Sequence, residues 1–154
     1  MDADSRLTGM TFSIEDFVRE SNRIEGIHRD PTKAEVEATY DFLSLTIVSV
    51  KDLCALVKVY APAHRLRNQY GLDVRVGNHI APRGCPEIEH SLDAILQRAM
   101  KGEKPWRIHV DYEILHPFTD GNGRSGRALW LWQMQKAPIG FLHQFYYQTL
   151  SAAR

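Results

Sequence analysis

Residues Ala128, Leu129, Trp130, Leu131, Trp132 and Met134 put apolar side chains around most of a helix circumference. A helix with no polar face has nowhere to sit but the middle of a fold, with other elements on every side. The remaining sequence supplies those elements, mostly as helices. Ser13 caps a helix over 14–25, with Glu15 and Asp16 in its first turn and Gly26 to end it. Asp30 and Pro31 open a second helix to about Thr46, with Val36, Tyr40, Leu43 and Ile47 on one stripe. Ser49 and Asp52 form a capping signal for a third, running to Tyr60 ahead of Pro62. Pro86 opens a helix carrying Ile88, Leu92, Ile95, Leu96 and Ala99 up to Gly102, and Pro105 opens another to about Leu115. Pro138 sets off a last amphipathic segment with Phe141, Leu142, Phe145, Tyr146 and Leu150. One stretch breaks the helical pattern: Val74 and Val76 alternate with Arg75, Gly77-Asn78 makes a turn, and His79 and Ile80 follow, a short hairpin within Leu72 to Pro82. With 154 residues, 44% of them apolar, the expectation is a single domain over 1–154 around one core.

Charge and cysteine usage narrow the partners. Nineteen basic and nineteen acidic side chains cancel, so no overall field holds the chain on nucleic acid or an anionic membrane, and any phosphate chemistry is local. Cys54 and Cys85 lack a CxxC spacing and read as buried free thiols of a reducing compartment. Met1 is followed by Asp2, Asp4 and Arg6 rather than a basic and then apolar leader, and no run of about 18 apolar residues occurs. A cytoplasmic location is the expectation.

The chemistry concentrates between Leu115 and the apolar helix, in His116-Pro117-Phe118-Thr119-Asp120-Gly121-Asn122-Gly123-Arg124-Ser125-Gly126-Arg127. Gly121 and Gly123 let backbone approach a ligand, and the unpaired amides of the helix start favour an anion. Arg124 and Arg127, three residues apart, project from nearly one face and reach polyphosphate oxygens together. Asp120 repels a bare phosphate but suits a Mg²⁺ that bridges two phosphates. His116 is either a structural hydrogen-bonder or a general base, a role worth about 10²- to 10⁴-fold. Zinc is disfavoured, because His109 and His116 are seven apart with no HExxH arrangement, and no GxxxxGK(S/T) Walker loop is present.

Residues His116 to Arg127 match every position of HxFx(D/E)GNGRxxR, and the chain thereby resembles the Fic family. The resemblance implies an all-α, Fic-type helical bundle around a central buried helix, with a small β-hairpin flap. It implies His116 as the base, Asp120 as the Mg²⁺ ligand, and the amides around Gly121, Asn122 and Gly123 as an anion hole. Phe118 anchors the loop, Arg124 meets the α/β-phosphates and Arg127 the γ-phosphate. The reaction implied is transfer of AMP from Mg-ATP to a Tyr, Thr or Ser hydroxyl of a target protein. A target segment would pair with the flap, here Val74, Arg75, Val76, Gly77, Asn78, His79 and Ile80; covering the core edge is the hairpin's alternative role. Arg65, Arg67 and Arg75 read as a solvated basic face, with an acidic target as the alternative. The implied partners are thus ATP and a target protein, with self-association compatible and no direct nucleic-acid or membrane binding.

On a helical wheel Ile14, Phe17, Val18 and Ile24 share a side with Ser21 and Glu25. Glu25 either points inward, where a carboxylate needs a cationic partner, or lies exposed at the helix end. The resemblance favours the first, since Ser21 to Gly26 fits (S/T)xxxE(G/N), an inhibitory pattern whose glutamate pairs with the second motif arginine, here Arg127. On the same fold, a Doc-like kinase that reverses the nucleotide, a deAMPylase that uses Glu25, and a non-catalytic ATP-sensing module are the alternatives.

Overall fold

A computed structural model describes residues 13–134. These form six helices and one hairpin: α1 (Ile14–Ile24), α2 (Lys33–Leu43), α3 (Val50–Tyr60), β1 (Arg75–Val76), β2 (His79–Ile80), α4 (Glu87–Met100), α5 (Pro105–Leu115) and α6 (Asn122–Met134). The fold is helical with a small antiparallel hairpin, paired Arg75 to Ile80 and Val76 to His79. The C-terminal segment expected around Phe141, Leu142, Phe145, Tyr146 and Leu150 lies outside the described residues.

The apolar helix is central. Every residue of α6 from Arg124 to Trp132 is buried, and α1, α2, α3 and α5 pack against it. One hydrophobic cluster joins all six helices through side chains such as Phe17, Phe42, Leu53, Leu92, Tyr112 and Leu129. Two side chains of α6 reach main-chain carbonyls beside it. The Trp132 indole donates to the Leu45 carbonyl at 2.7 Å, and Gln133 Nε2 donates to the carbonyls of Ala99 and Glu103. Among the described residues no helix is long and apolar enough to cross a membrane.

Local capping sets where the helices begin. Ser13 Oγ accepts from the Asp16 amide, and Ser49 and Asp52 complete a capping box at α3. At α2 the boundaries differ from the sequence reading. Thr32 and Glu35 form a capping box, so the helix starts at Lys33 rather than at Asp30-Pro31, and it stops at Leu43 instead of about Thr46. Its buried face is Glu35, Thr39, Phe42 and Leu43, not the stripe through Val36 and Tyr40. Ile47 lies beyond the helix end and is 65% exposed, while Val48 turns inward. The stripe assumed a helix one turn longer than the caps allow. Cys54 and Cys85 are free thiols, half-buried rather than buried; burial beside Glu89 pushes the Cys54 thiol up.

This placement separates two apolar residues that look alike in the sequence. Leu129→Ala is expected to cost about 2–5 kcal/mol in chemical denaturation, because it opens a cavity in the packed centre. Ile47→Ala is expected to stay within about 0.5 kcal/mol. Equal losses at the two positions would contradict this core.

Candidate active site

The motif begins where α5 ends. His116 is the C-cap of α5 with φ 51° and ψ 64°, a left-handed conformation uncommon for a side chain with a Cβ. Its loop is tied on both sides. Asn122 closes it from below: its Oδ1 accepts from the Phe118 amide and its Nδ2 donates to the Phe118 carbonyl, both at 2.8 Å. Residues 65–67 run antiparallel to it, with the Thr119 amide donating to Arg65 O and the Arg67 amide to Pro117 O. Phe118 is 1% exposed and joins the core. Gly121 then turns the chain into α6 at φ +83°, with Val57 only 3.3 Å from where a Cβ would lie. The Ser125 amide makes α6's first backbone bond, to Gly121 O at 3.0 Å, so the amides of Asn122, Gly123 and Arg124 form its open N-terminus. The Gly121 amide is taken by Asp120 Oδ1 at 2.8 Å.

His116 is buried, and its Nδ1 lies 3.1 Å from the Glu113 carbonyl. A carbonyl only accepts, so Nδ1 carries the proton and Nε2 keeps a lone pair. Burial holds this imidazole below its ordinary pKa, helped by the charges of Arg67 and His79 and opposed by the Glu113 carbonyl and Glu25. The ring therefore stays neutral, and able to accept a proton, to lower pH than a free histidine. Asp120 is exposed, with Oδ2 3.7 Å from His64 Nε2. No cluster of three or more metal-ligating side chains exists among the described residues. A lone hard carboxylate beside an open helix N-terminus fits Mg²⁺, an ion that takes one or two carboxylates and fills its shell with water and substrate phosphates.

The two motif arginines are enclosed by α1 and α2. Arg127, 5% exposed, donates Nε to Ser21 Oγ at 2.8 Å and Nη2 to both Ser21 O and Glu25 Oε1, at 2.9 and 2.8 Å. Glu25 is the C-cap of α1 and its side chain is 41% exposed, so it reaches Arg127 from the helix end and is not an interior carboxylate. Gly123 makes the approach feasible, since a Cβ there would collide with the Glu25 carboxylate and the Arg127 guanidinium. Gly26, next in the chain, follows the cap. Arg124 lies over the Tyr60 ring at 5.5 Å, with Nη1 3.4 Å from Asn22 Oδ1 and 3.9 Å from Glu35 Oε2. Burial alone would push the Glu35 carboxyl up, but the Arg29 guanidinium and the Thr32 amide and hydroxyl hold it down at about 2.

The hairpin stands beside His116. His79 Nε2 donates to Ile114 O at 2.9 Å, and the His79 and His116 rings meet edge-on with centroids 6.5 Å apart. Val74, Arg75, Val76, Gly77, Asn78 and Ile80 are half-buried or exposed. Arg67 is not part of a solvated basic face: it is completely buried, and its donors end on main-chain carbonyls. Sequence patterns also passed over Asn22, Glu35 and Glu113. A Thr-x-x-Glu capping signal pointed to Glu35, and Glu113 lies four residues after His109 on the buried side of α5. Arg67 carries no local signal, because its carbonyl partners lie up to 49 residues away in the chain.

Glu113 bears on stability. Burial pushes its carboxyl up to about 7, with Arg127 opposing and Glu25 adding to the shift; nearby His109 is driven down to about 3 by burial. A carboxyl raised from 4.5 favours the fold fully below that pH and loses this contribution as pH rises through about 7. Glu113→Gln keeps the neutral shape, so its Tm is expected to match the wild type near pH ~4. Near pH ~8 it is expected to be several degrees higher, about 1–3 kcal/mol. A Tm at that pH equal to or below the wild-type value would contradict a neutral buried Glu113.

The model of the Fic/DOC family matches residues 45–134, from just after α2 through the hairpin and motif to the last described turn of α6. Helix α1, with Ser21 and Glu25, precedes the matched region. Comparison with curated proteins gives no match. With more than half of its length covered, and with the motif folded as a loop at the start of a buried central helix, this chain belongs to the Fic/DOC family.

Proposed function

We propose that this chain is a protein adenylyltransferase: it moves AMP from Mg·ATP onto a Tyr, Thr or Ser hydroxyl of a target protein, and Glu25 restrains it. Domains of this family are in general transferases that act on proteins; nucleotidyl specificity and self-restraint are the proposal. The observation that carries it is the fixed tautomer of His116. With Nδ1 held by the Glu113 carbonyl, the basic nitrogen belongs to a residue joined by a short tied loop to the open N-terminus of α6.

The residues then divide the work. The amides at Asn122 and Gly123 and the positive end of α6 receive phosphate oxygens. Asp120 would hold the Mg²⁺ that accompanies ATP, an ion that offsets the charge of the phosphates. The target hydroxyl oxygen attacks the α-phosphorus while its proton passes to His116 Nε2. The new O–P bond forms as the bond to the β-phosphate oxygen breaks, and pyrophosphate departs with that electron pair. Positioning and charge stabilisation suffice for such a step without a covalent intermediate. Arg127 would hold the γ-phosphate, but its Nε and Nη2 are engaged by Ser21 and Glu25. ATP and Glu25 therefore compete for one guanidinium.

Incubation of target-containing extract or of the chain alone with ATP labelled at the α- or γ-phosphate tests the reading. Protein-bound label is expected from the α-position only; label from the γ-position only would identify a kinase, and none from either would identify a nucleotide sensor. His116→Ala is expected to keep nucleotide binding and to lower transfer at least about a hundredfold. Asp120→Ala is expected to weaken Mg·ATP binding, seen as a raised magnesium requirement in titration calorimetry. Transfer by the His116 variant at the wild-type rate, or an unchanged magnesium requirement in the Asp120 variant, would remove that residue from its role.

A further inference from the structure

Arg67 is the largest of the fully buried side chains, and the hydrogen bonds of its guanidinium go to main-chain carbonyls. Its direct partners are carbonyls, while the Asp73 carboxylate acts on it from farther off and partly opposes the lowering of its pKa by burial. Nε donates to His116 O at 2.6 Å and Nη2 to Leu115 O at 2.9 Å, the carbonyls that close α5 and carry the catalytic histidine. Nη1 donates to Leu72 O at 3.0 Å and to Pro82 O at 2.8 Å, the carbonyls that bracket the hairpin. One planar fork thus joins both ends of the flap segment to both sides of the left-handed turn at His116. The backbone repeats the connection: the Arg67 amide donates to Pro117 O, and its carbonyl accepts from the Cys85 amide just beyond the flap. His79 adds a third tie, from β2 to Ile114 O.

We propose that Arg67 is a positioning residue that locks the flap and His116 into one body, so that a target strand held on the hairpin is placed in register with the base. The inference rests on the AMP-transfer reading for its consequence, not for its geometry. Five donors in a rigid plane are needed to serve four diverging carbonyls; an ammonium has three donors at one point and cannot span them. A base displaced by about 1 Å loses on the order of a hundredfold in rate while ligand affinity elsewhere survives.

The test has an arm that requires no turnover. Gly84→Ala introduces no charge, but its Cβ would strike Leu72 O and Gln69 O at the base of the flap. In isotope-labelled protein it is expected to shift the His116 ring signals, and the same substitution made in an Arg67→Lys background is expected to shift them clearly less, since only the main-chain and His79 ties then remain. In the activity arm, Arg67→Lys is expected to lower kcat by about 10- to 100-fold and to raise the KM for target, with the Kd for Mg·ATP unchanged. Equal His116 shifts from Gly84→Ala in both backgrounds would overturn the proposal, as would a target KM and kcat untouched by Arg67→Lys. Should Arg67→Lys not fold, Gly84→Ala alone decides: unmoved His116 signals overturn the coupling. Absence of AMP transfer by a folded Glu25→Gly chain, in which the proposed restraint is removed, would sink the functional reading and leave the spectroscopic arm intact.

Discussion

A guanidinium with 5% exposure must be met by oxygens fixed in space, and those that meet Arg127 come from residues more than a hundred positions earlier. Ser21 supplies a hydroxyl and a carbonyl, and Glu25 a carboxylate. Helix α1 is thereby docked near the N-terminal end of the central helix. Phe17 and Val18 bury the apolar side of the same helix, so packing and charge pairing fix α1 together. Because Glu25 remains 41% exposed, its pairing with Arg127 is open to competition from solvent and ligand, unlike a fully enclosed ion pair.

At the other side of the α6 N-terminus, the organising constraint is main-chain geometry. His116 occupies a left-handed turn, held by Asn122 from the loop and Arg67 from the segment before the flap, with Glu113 O on the imidazole. Gly126 lets α5 approach closely enough for this, since a Cβ there would lie within 3.0 Å of Tyr112 and Glu113. His116 is thus set by rigid helices, with the flap attached through Arg67, and the arginines that would receive phosphate are set by α1 and α2.

What could be read from the sequence followed from how local each determinant is. The all-round apolar pattern from Ala128 to Trp132 identified the central helix, and the caps at Ser13 and Ser49 with the prolines Pro86 and Pro105 identified starts, because such signals need only residues within one turn. The hairpin at Gly77-Asn78 was legible for the same reason. The α2 face was misassigned where a helix was extended past its true end at Leu43, which carried Ile47 onto a stripe it does not share. The motif drew attention to His116, Asp120, Arg124 and Arg127, and the helical wheel placed Glu25 on the side that faces the core. Arg67 was read as surface because an arginine bound to four carbonyls leaves no periodic trace; its burial is a property of the assembled fold alone. Asn22 was passed over similarly, since its partners Glu35 and Arg124 lie 13 and 102 residues away; Glu35 and Glu113 had local neighbours in Thr32 and His109, but no periodic pattern marked them as buried.

The central claim is that Glu25 and the γ-phosphate contend for Arg127, and the rate of α-phosphate label transfer by Glu25→Gly measures it most directly. A coupling of about 1–3 kcal/mol predicts a rise of roughly 5- to 150-fold over the wild type, silenced again when His116→Ala is added. A folded Glu25→Gly chain that labels no faster than the wild type would contradict the account.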